Sequence, residues 1–250
     1  MRKKFIQLAV ILLSSLIFSA QAKTRDLVVC AVPQTYSALE QIKRVSPVKF
    51  DTFYAMPDEI LSRINNRSGI CSIVISADER LALLLLRSNQ TSNGMIKQLV
   101  KAPLILWSAD ESLFKDNIDA ITKQKLKSIG LPNPHLTPVG FSSKQVVERK
   151  SFPTKYLKHK IFRADHEFQI YSFVRSQNVQ SGFITKPLVM KNGLPQGSYW
   201  KIPENYYQAI IYFIVNTSKR NTNANNILFN YLYSDKEALN FFYQTGFEPL

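Results

Sequence analysis

Gly69-Ile-Cys-Ser-Ile-Val-Ile-Ser-Ala-Asp-Glu-Arg-Leu-Ala-Leu-Leu-Leu-Leu-Arg87 carries two signals in succession. Ile70 to Ile75 is short, apolar, rich in β-branched residues and preceded by a glycine. That pattern suits a strand buried on both faces, as in a parallel sheet. Ser76, Asp78 and Glu79 then supply hydroxyl and carboxylate acceptors ahead of a helix-forming run, Arg80 to Arg87. Ser76 and Asp78 suit helix caps, because the first N–H groups of a helix have no partner within it. A buried strand that turns through polar residues into a helix is half of a βαβ unit. In open α/β sheets, ligands lie outside the carboxyl ends of the strands. Ser76 to Glu79 are therefore expected at the functional edge, either as caps alone or as part of a site.

Upstream, Leu27 to Val32 repeats the buried-strand pattern, and Pro33 to Tyr36 turns the chain. Ser37 and Glu40 have capping-box spacing, which predicts a helix starting there. Val48 to Tyr54 reads as a third strand, and Pro57-Asp58-Glu59 as the start of a helix with acids at its positive end. The order is strand, helix, strand, helix, strand, helix, which predicts a parallel sheet covered on both faces. Downstream, strands are expected over 102–108, 128–131, 161–163, 181–185 and 209–215. Helices are expected from about Pro138 to Lys150, over 165–176 with Phe168, Tyr171 and Phe173 or Val174 inward, and over 227–233 and 235–245, the last stopped by Gly246. Pro132 to Pro138 and Gly193 to Ile202 read as loops. The change of pattern near residue 105 and the return near 211 predict two α/β lobes, 23–105 with 211–250 and 106–210. Two crossings leave a ligand cleft between the lobes.

Residues 1–22 stand apart. Arg2, Lys3 and Lys4 precede an apolar run from Phe5 to Phe18, and Ala20-Gln21-Ala22 has the form of a cleavage site. The run is shorter than the about 20 residues that a membrane span needs. A cleaved secretory signal and a mature start at Lys23 are expected, placing the protein in the periplasm as a monomer. Removing the three basic residues takes the formal charge from +14 to +11. Lys and Arg are spread along the chain with no nucleic-acid motif, so the charge reads as a solvated face and no nucleic-acid partner is expected. Cys30 and Cys71 are the only cysteines. Export permits a bridge, but both fall in or beside buried strands at different heights, and two buried thiols are favoured over pairing. His135, His159 and His166 are scattered, with no metal-ligand spacing. Nucleophile elbow, phosphate loop and dinucleotide fingerprint are all missing from the sequence. Neither catalysis nor a cofactor or metal is expected.

Several stretches together resemble the periplasmic molybdate-binding proteins of ABC transporters, within the type 2 periplasmic binding protein superfamily. They are Leu27 to Ala31 with Ala38 to Glu40, Ile75 to Glu79, Gly130 to Pro134 with Pro138 to Gly140, Gly182 to Ile184, Gly197 to Trp200, and Gly246 to Glu248. Order and spacing run through essentially the whole mature chain. The resemblance implies a two-lobed binding protein that holds an oxyanion, molybdate or a relative such as tungstate, in its cleft. It also implies delivery to an inner-membrane permease. In that family serine hydroxyls and helix-start N–H groups hold the anion, which fits the unsatisfied donors and partial positive charge of helix N-termini. By position, the first serine falls on Gln34, and a serine pair on Met56 and Pro57. Two backbone donors fall on Val139 and Glu167, and a tyrosine of some members on Thr185. A register shift of one or two residues would bring Thr35 or Thr52 nearer instead. The scaffold is kept and most ligand hydroxyls are not. A different, non-dianionic ligand or a sensor role is the alternative reading. If Asp58, Glu59 and Glu167 turn inward, the cleft suits a cation or zwitterion better than an anion. If they turn outward, they only complement helix dipoles.

Overall fold

The structure is a computed structural model and describes residues 27–66, 71–91, 93–115, 119–122, 126–157, 159–217 and 223–250. The expected signal segment, and Gly69 and Ile70 of the opening stretch, lie outside the described residues. Two five-stranded sheets carry the fold. In the first, β1 (Leu27–Ala31) lies between β2 (Phe50–Tyr54) and β3 (Ile73–Ser76), parallel to both. β12 (Ile210–Asn216) follows β3 and β4 (Ile96–Ala102) forms the edge, with β12 antiparallel to each. The second sheet runs β11 (Ser198–Lys201), β5 (Leu104–Ser108), β8 (Ser181–Thr185), β6 (Ile129–Pro132), β7 (Ile161–Ala164). There β6 is parallel to β7 and β8, while β5 is antiparallel to β8 and β11. β9 (Met190–Lys191) and β10 (Leu194–Pro195) make a small ribbon.

The helices are α1 (Tyr36–Val45), α2 (Pro57–Asn65), α3 (Glu79–Arg87), α4 (Asp119–Thr122), α5 (Pro138–Val147), α6 (Thr154–Leu157), α7 (Glu167–Arg175), α8 (Asn223–Ser234) and α9 (Lys236–Gln244). This is the two-lobed periplasmic binding protein fold.

The run expected as one strand over 102–108 is two strands in different sheets. Pro103 has no N–H to give to a ladder, so pairing stops there, and the chain changes sheet. Tyr207, on the return path, accepts from Leu104 N at 3.0 Å and ties the two crossings together. β4 is not expected from the sequence, because Ile96-Lys-Gln-Leu-Val-Lys101 pairs its polar and apolar residues and shows no strand period. The loop expected over 193–202 contains β11, whose Trp200 is buried against β5. At the carboxyl end, Glu248 pairs with Lys101 of β4, and Phe247 packs edge-on against Tyr212 at 5.0 Å. Gly246 ends α9 at φ +98°, a conformation that favours glycine.

Two further expectations are corrected. α1 starts at Tyr36, so no capping box forms over Ser37 and Glu40. Glu40 instead accepts from Thr52 Oγ1 and Tyr54 OH on β2. Along α7 the buried residues are Glu167, Ile170 and Val174, while Phe173 is exposed.

Cys30 and Cys71 form a disulfide, which overturns the expectation of two thiols. The ladder pairs Cys30 with Val74, three residues beyond Cys71. A strand running straight through 70–75 would hold the two cysteines apart. The chain instead bends at Ser72, so that only Ile73 to Ser76 is strand, and Cys71 comes to a Cα distance of 5.5 Å from Cys30. The bridge closes a 41-residue separation that includes α1, β2 and α2. Peptide mapping without reductant should show the Cys30–Cys71 pair. Replacing both cysteines with alanine should lower the unfolding free energy in urea by about 2–4 kcal/mol. Free thiols in protein folded under oxidising conditions would contradict the pairing.

Candidate functional site

The carboxyl ends of β1, β2 and β3 from one sheet and of β6 and β7 from the other lead into the segments that surround a cleft of about 280 Å³. After β1 the chain makes a 3-10 turn over Pro33–Thr35, which places Gln34 on the wall. After β2, Met56 in extended conformation caps α2, with Pro57 as its first residue. After β3, Ser76 accepts from Asp78 N at 3.0 Å, and Asp78 caps α3 by accepting from Arg80 N at 3.0 Å. After β6, Thr137 caps α5 by accepting from Gly140 N at 2.9 Å. A Cβ on Gly140 would lie 2.2 Å from the Asn133 carbonyl oxygen. Only glycine lets this helix start come so close to the preceding loop. After β7, His166 in extended conformation precedes Glu167, the first residue of α7. The first turns of α2, α5 and α7 thus open on the cleft, each with partial positive charge.

Glu167 is 3 % exposed and lies on the cleft wall. Its Oε2 accepts from Thr185 N at 2.7 Å and from Thr185 Oγ1 at 2.9 Å, and its Oε1 accepts from the Gln34 amide nitrogen. The last bond joins the two lobes. Burial pushes the Glu167 carboxyl above the ordinary carboxylate value, against the lowering effect of the Thr185 N–H, the Gln34 amide and the Thr185 hydroxyl. Tyr212 of β12 also lines the cleft, fully buried, and its pKa is raised well above the usual range by burial and then by the Glu167 charge. At the mouth, Arg80 pairs with Asp78 through Nε–Oδ1 at 3.0 Å and Nη2–Oδ2 at 3.1 Å. It also donates across the cleft, from Nη2 to the Leu136 carbonyl at 2.6 Å and from Nη1 to that of His135 at 3.3 Å.

Of the six residues singled out by position, the structure brings five to the cleft: Gln34, Met56, Pro57, Val139 and Glu167. Thr185 is not on the wall; it sits behind Glu167 and anchors its carboxylate. Thr35 turns its hydroxyl to the Val32 carbonyl, and Thr52 donates to Glu40, so neither serves the cleft. The acids divide. Glu167 turns in, Asp58 is exposed but borders the cleft, and Glu59 is exposed and away from it. Ser76 and Asp78 lie on the wall as the opening stretch suggests, whereas Glu79 does not. Tyr212, Arg80 and His166 also line the cleft and had no individual signal in the sequence. Tyr212 alternates with inward apolar residues in a strand, where a phenol reads as core.

Fold and cleft define a two-lobed protein with a cavity of small-ligand size between its lobes. The sequence model of the bacterial extracellular solute-binding proteins matches residues 27–248, and the chain belongs to this family. The molybdate-binding protein ModA of Azotobacter vinelandii is 26% identical over 171 residues, 68% of this chain and 67% of that protein. The solved periplasmic molybdate-binding protein of Azotobacter vinelandii superposes with a TM-score of 0.74 at 22% identity, over 89% of this chain and 98% of that one. The substrate-binding domain of a molybdenum ABC transporter protein from Clostridium difficile, described as putative, gives 0.70 at 23% identity, over 90% and 99%. These relatives are binding proteins. Among the described residues no helix is long and apolar enough to cross a membrane.

The state of Glu167 has a measurable consequence. A carboxyl whose folded pKa lies above its unfolded value binds more protons when folded. Stability therefore falls as pH rises from about 4.5, the ordinary value, through the raised one. Glu167→Gln removes the charge and keeps the shape. Its oxygen can still accept from Thr185, and the Gln34 amide can turn to meet its nitrogen. The variant should melt above the wild type at pH 8, with the gap closing towards pH 4. A gap independent of pH would show that the carboxylate is not the cause.

Proposed function

We propose that this chain is a periplasmic solute-binding protein of an ABC importer, exported with loss of residues 1–22. It closes on one small ligand between its lobes and delivers that ligand to an inner-membrane permease. The family and the two-lobed fold support binding and delivery. The ligand we propose is not molybdate or another bare dianion. The observation that carries this is the buried Glu167 carboxylate on the cleft wall, at a helix start that an anion would otherwise occupy.

Magnitudes favour the exclusion. A hydrogen bond to a charged group contributes roughly 1.5–3 kcal/mol, so placing Met56 and Pro57 where the relatives' family carries two serines removes about 3–6 kcal/mol. A carboxylate ~5 Å from an anion opposes it by about 3 kcal/mol per unit charge at an effective dielectric of ~20. The three helix starts still offer N–H donors, Val139 among them, each worth roughly 1.5–3 kcal/mol to a charged group, which leaves some affinity for an anion. The carboxylate repulsion doubles for a dianion and vanishes for a ligand that carries no net negative charge.

Calorimetric titration of molybdate, tungstate and sulfate into the mature protein tests this directly. We expect no dissociation constant in the micromolar range or tighter for any of the three. A micromolar or tighter value for molybdate would show that the cleft is a conventional oxyanion site and that Glu167 is accommodated within it.

A further inference from the structure

We infer that the ligand is a small organic molecule with an apolar body and an ammonium group, the ammonium seated against Glu167. The inference rests on the cleft-binding role proposed above and adds the chemical class of what is bound.

The polar end of the cleft is rich in acceptors. Glu167 Oε2 already receives two hydrogen bonds and Oε1 only one, so a lone pair of Oε1 is left. Among the described residues, the Gln34 amide oxygen, the Tyr212 hydroxyl and His166 Nδ1 are buried on the same wall without a well-formed hydrogen bond, Tyr212 having only the Thr185 side chain beside it. Tyr212 is 0 % exposed, so bulk water does not satisfy it. Gln34 cannot solve its problem by turning its amide, because the nitrogen is held by Glu167. Unpartnered buried polar atoms are rare enough to call for an explanation, and a ligand group is one. An ammonium group brings three donors and no acceptor, which suits the Glu167 and Gln34 oxygens, with the Tyr212 oxygen able to accept the third. A tetrahedral oxyanion brings only acceptors and would face those two oxygens with its own kind, and of these buried side chains only Tyr212 and His166 could donate to it.

Charge points the same way. The whole chain is formally +14, yet the cleft is bordered by Asp58, Asp78 and Glu167 against Arg80 alone. Arg80 is committed to Asp78 and to the carbonyls of residues 135 and 136. Asp58 lies within the field of Arg80, and an ionised Glu167 adds negative charge to the cleft of a protein that is otherwise basic. The helix starts oppose a cation with about half an elementary charge each, spread along the cleft, whereas an ionised Glu167 concentrates a full one at one point of the wall. The rest of the wall is apolar, with Leu61, Leu81 and Leu84 from the first lobe and Leu136 and Val139 from the second. A cavity of about 280 Å³ lies near the lower end of volumes that hold organic ligands, about 300–1,000 Å³.

Three probes sharing one branched apolar body separate the possibilities in the wild-type protein without any substitution. Isopentylamine carries the ammonium alone, leucine the ammonium with a carboxylate, and 4-methylpentanoate the carboxylate alone. Calorimetry and thermal shift should show binding of the two ammonium probes and at least ten-fold weaker binding of 4-methylpentanoate. Glu167→Gln should weaken the ammonium probes ten-fold or more without lowering the melting temperature of the free protein. Failure of both ammonium probes to bind at millimolar concentration overturns the inference. So does 4-methylpentanoate binding as tightly as either of them, or an affinity for the amines that is unchanged in Glu167→Gln. Tight 4-methylpentanoate binding would leave the proposed solute-binding role standing, whereas micromolar molybdate binding would remove the excluded-dianion reading as well.

Discussion

A carboxylate enclosed at the join between two lobes has to be satisfied by the protein around it, and the Glu167 group organises the surroundings of the cleft accordingly. Its Oε2 is fixed from behind by both the backbone and the side chain of Thr185, at the carboxyl end of β8. Its Oε1 takes the amide of Gln34, which belongs to the other lobe. Removing an ionised group from water costs several kcal/mol even after relaxation, and three donors offset that cost only if each is held in place. β8 holds Thr185 because it is sandwiched between β5 and β6. The 3-10 turn over Pro33–Thr35 holds Gln34 because Pro33 sets its backbone and Thr35 ties back to Val32. The site is thus rigid where it is charged.

The scaffold explains how residues on the cleft wall can vary without loss of fold. Strands and helix starts are positioned by burial of Ile73, Ile75, Leu104 and Leu106, none of which lines the cleft. The residues on the cleft wall sit at the first turns of helices, where almost any side chain is tolerated provided the backbone geometry is kept. Proline at the start of α2 and α5 preserves that geometry while removing one N–H that would be unpaired in any case. Met56 and Pro57 therefore keep the helix where it is and change what it offers to a ligand.

Much of this was legible in the sequence, and for identifiable reasons. The buried strands around Val29 and Val74, the cap at Asp78 and the helix start at Pro138 are local signals, set by periodicity and by the needs of a helix end. The two-lobed architecture could be read from where those signals change. What could not be read depends on contacts between distant segments. The disulfide needed the bend at Ser72, which is not visible in an apolar run. β4 and β11 are edge strands whose polar and apolar residues mix without a strand period. Whether Glu167, Asp58 and Glu59 face in or out depends on whether a partner waits inside. Only Glu167 has one, because Thr185 and Gln34 lie 18 residues ahead of it and 133 behind it in the chain.

Closure of the cleft draws on the same logic at its other end. Arg80 is preorganised by two contacts to Asp78 on its own helix before it reaches the carbonyls of residues 135 and 136 opposite. Holding the guanidinium in one orientation reduces the entropy lost when the lobes meet. The two contacts across the cleft, Gln34 to Glu167 at its floor and Arg80 to the 135–136 backbone at its mouth, join the lobes without any ligand atom. A ligand shifts an opening equilibrium only by the difference in its affinity for the two states. Since the closed state already has polar contacts of its own, a ligand need contribute less to hold it. That permits a small molecule with few polar groups to be retained, which a wide cleft relying wholly on ligand contacts would not allow.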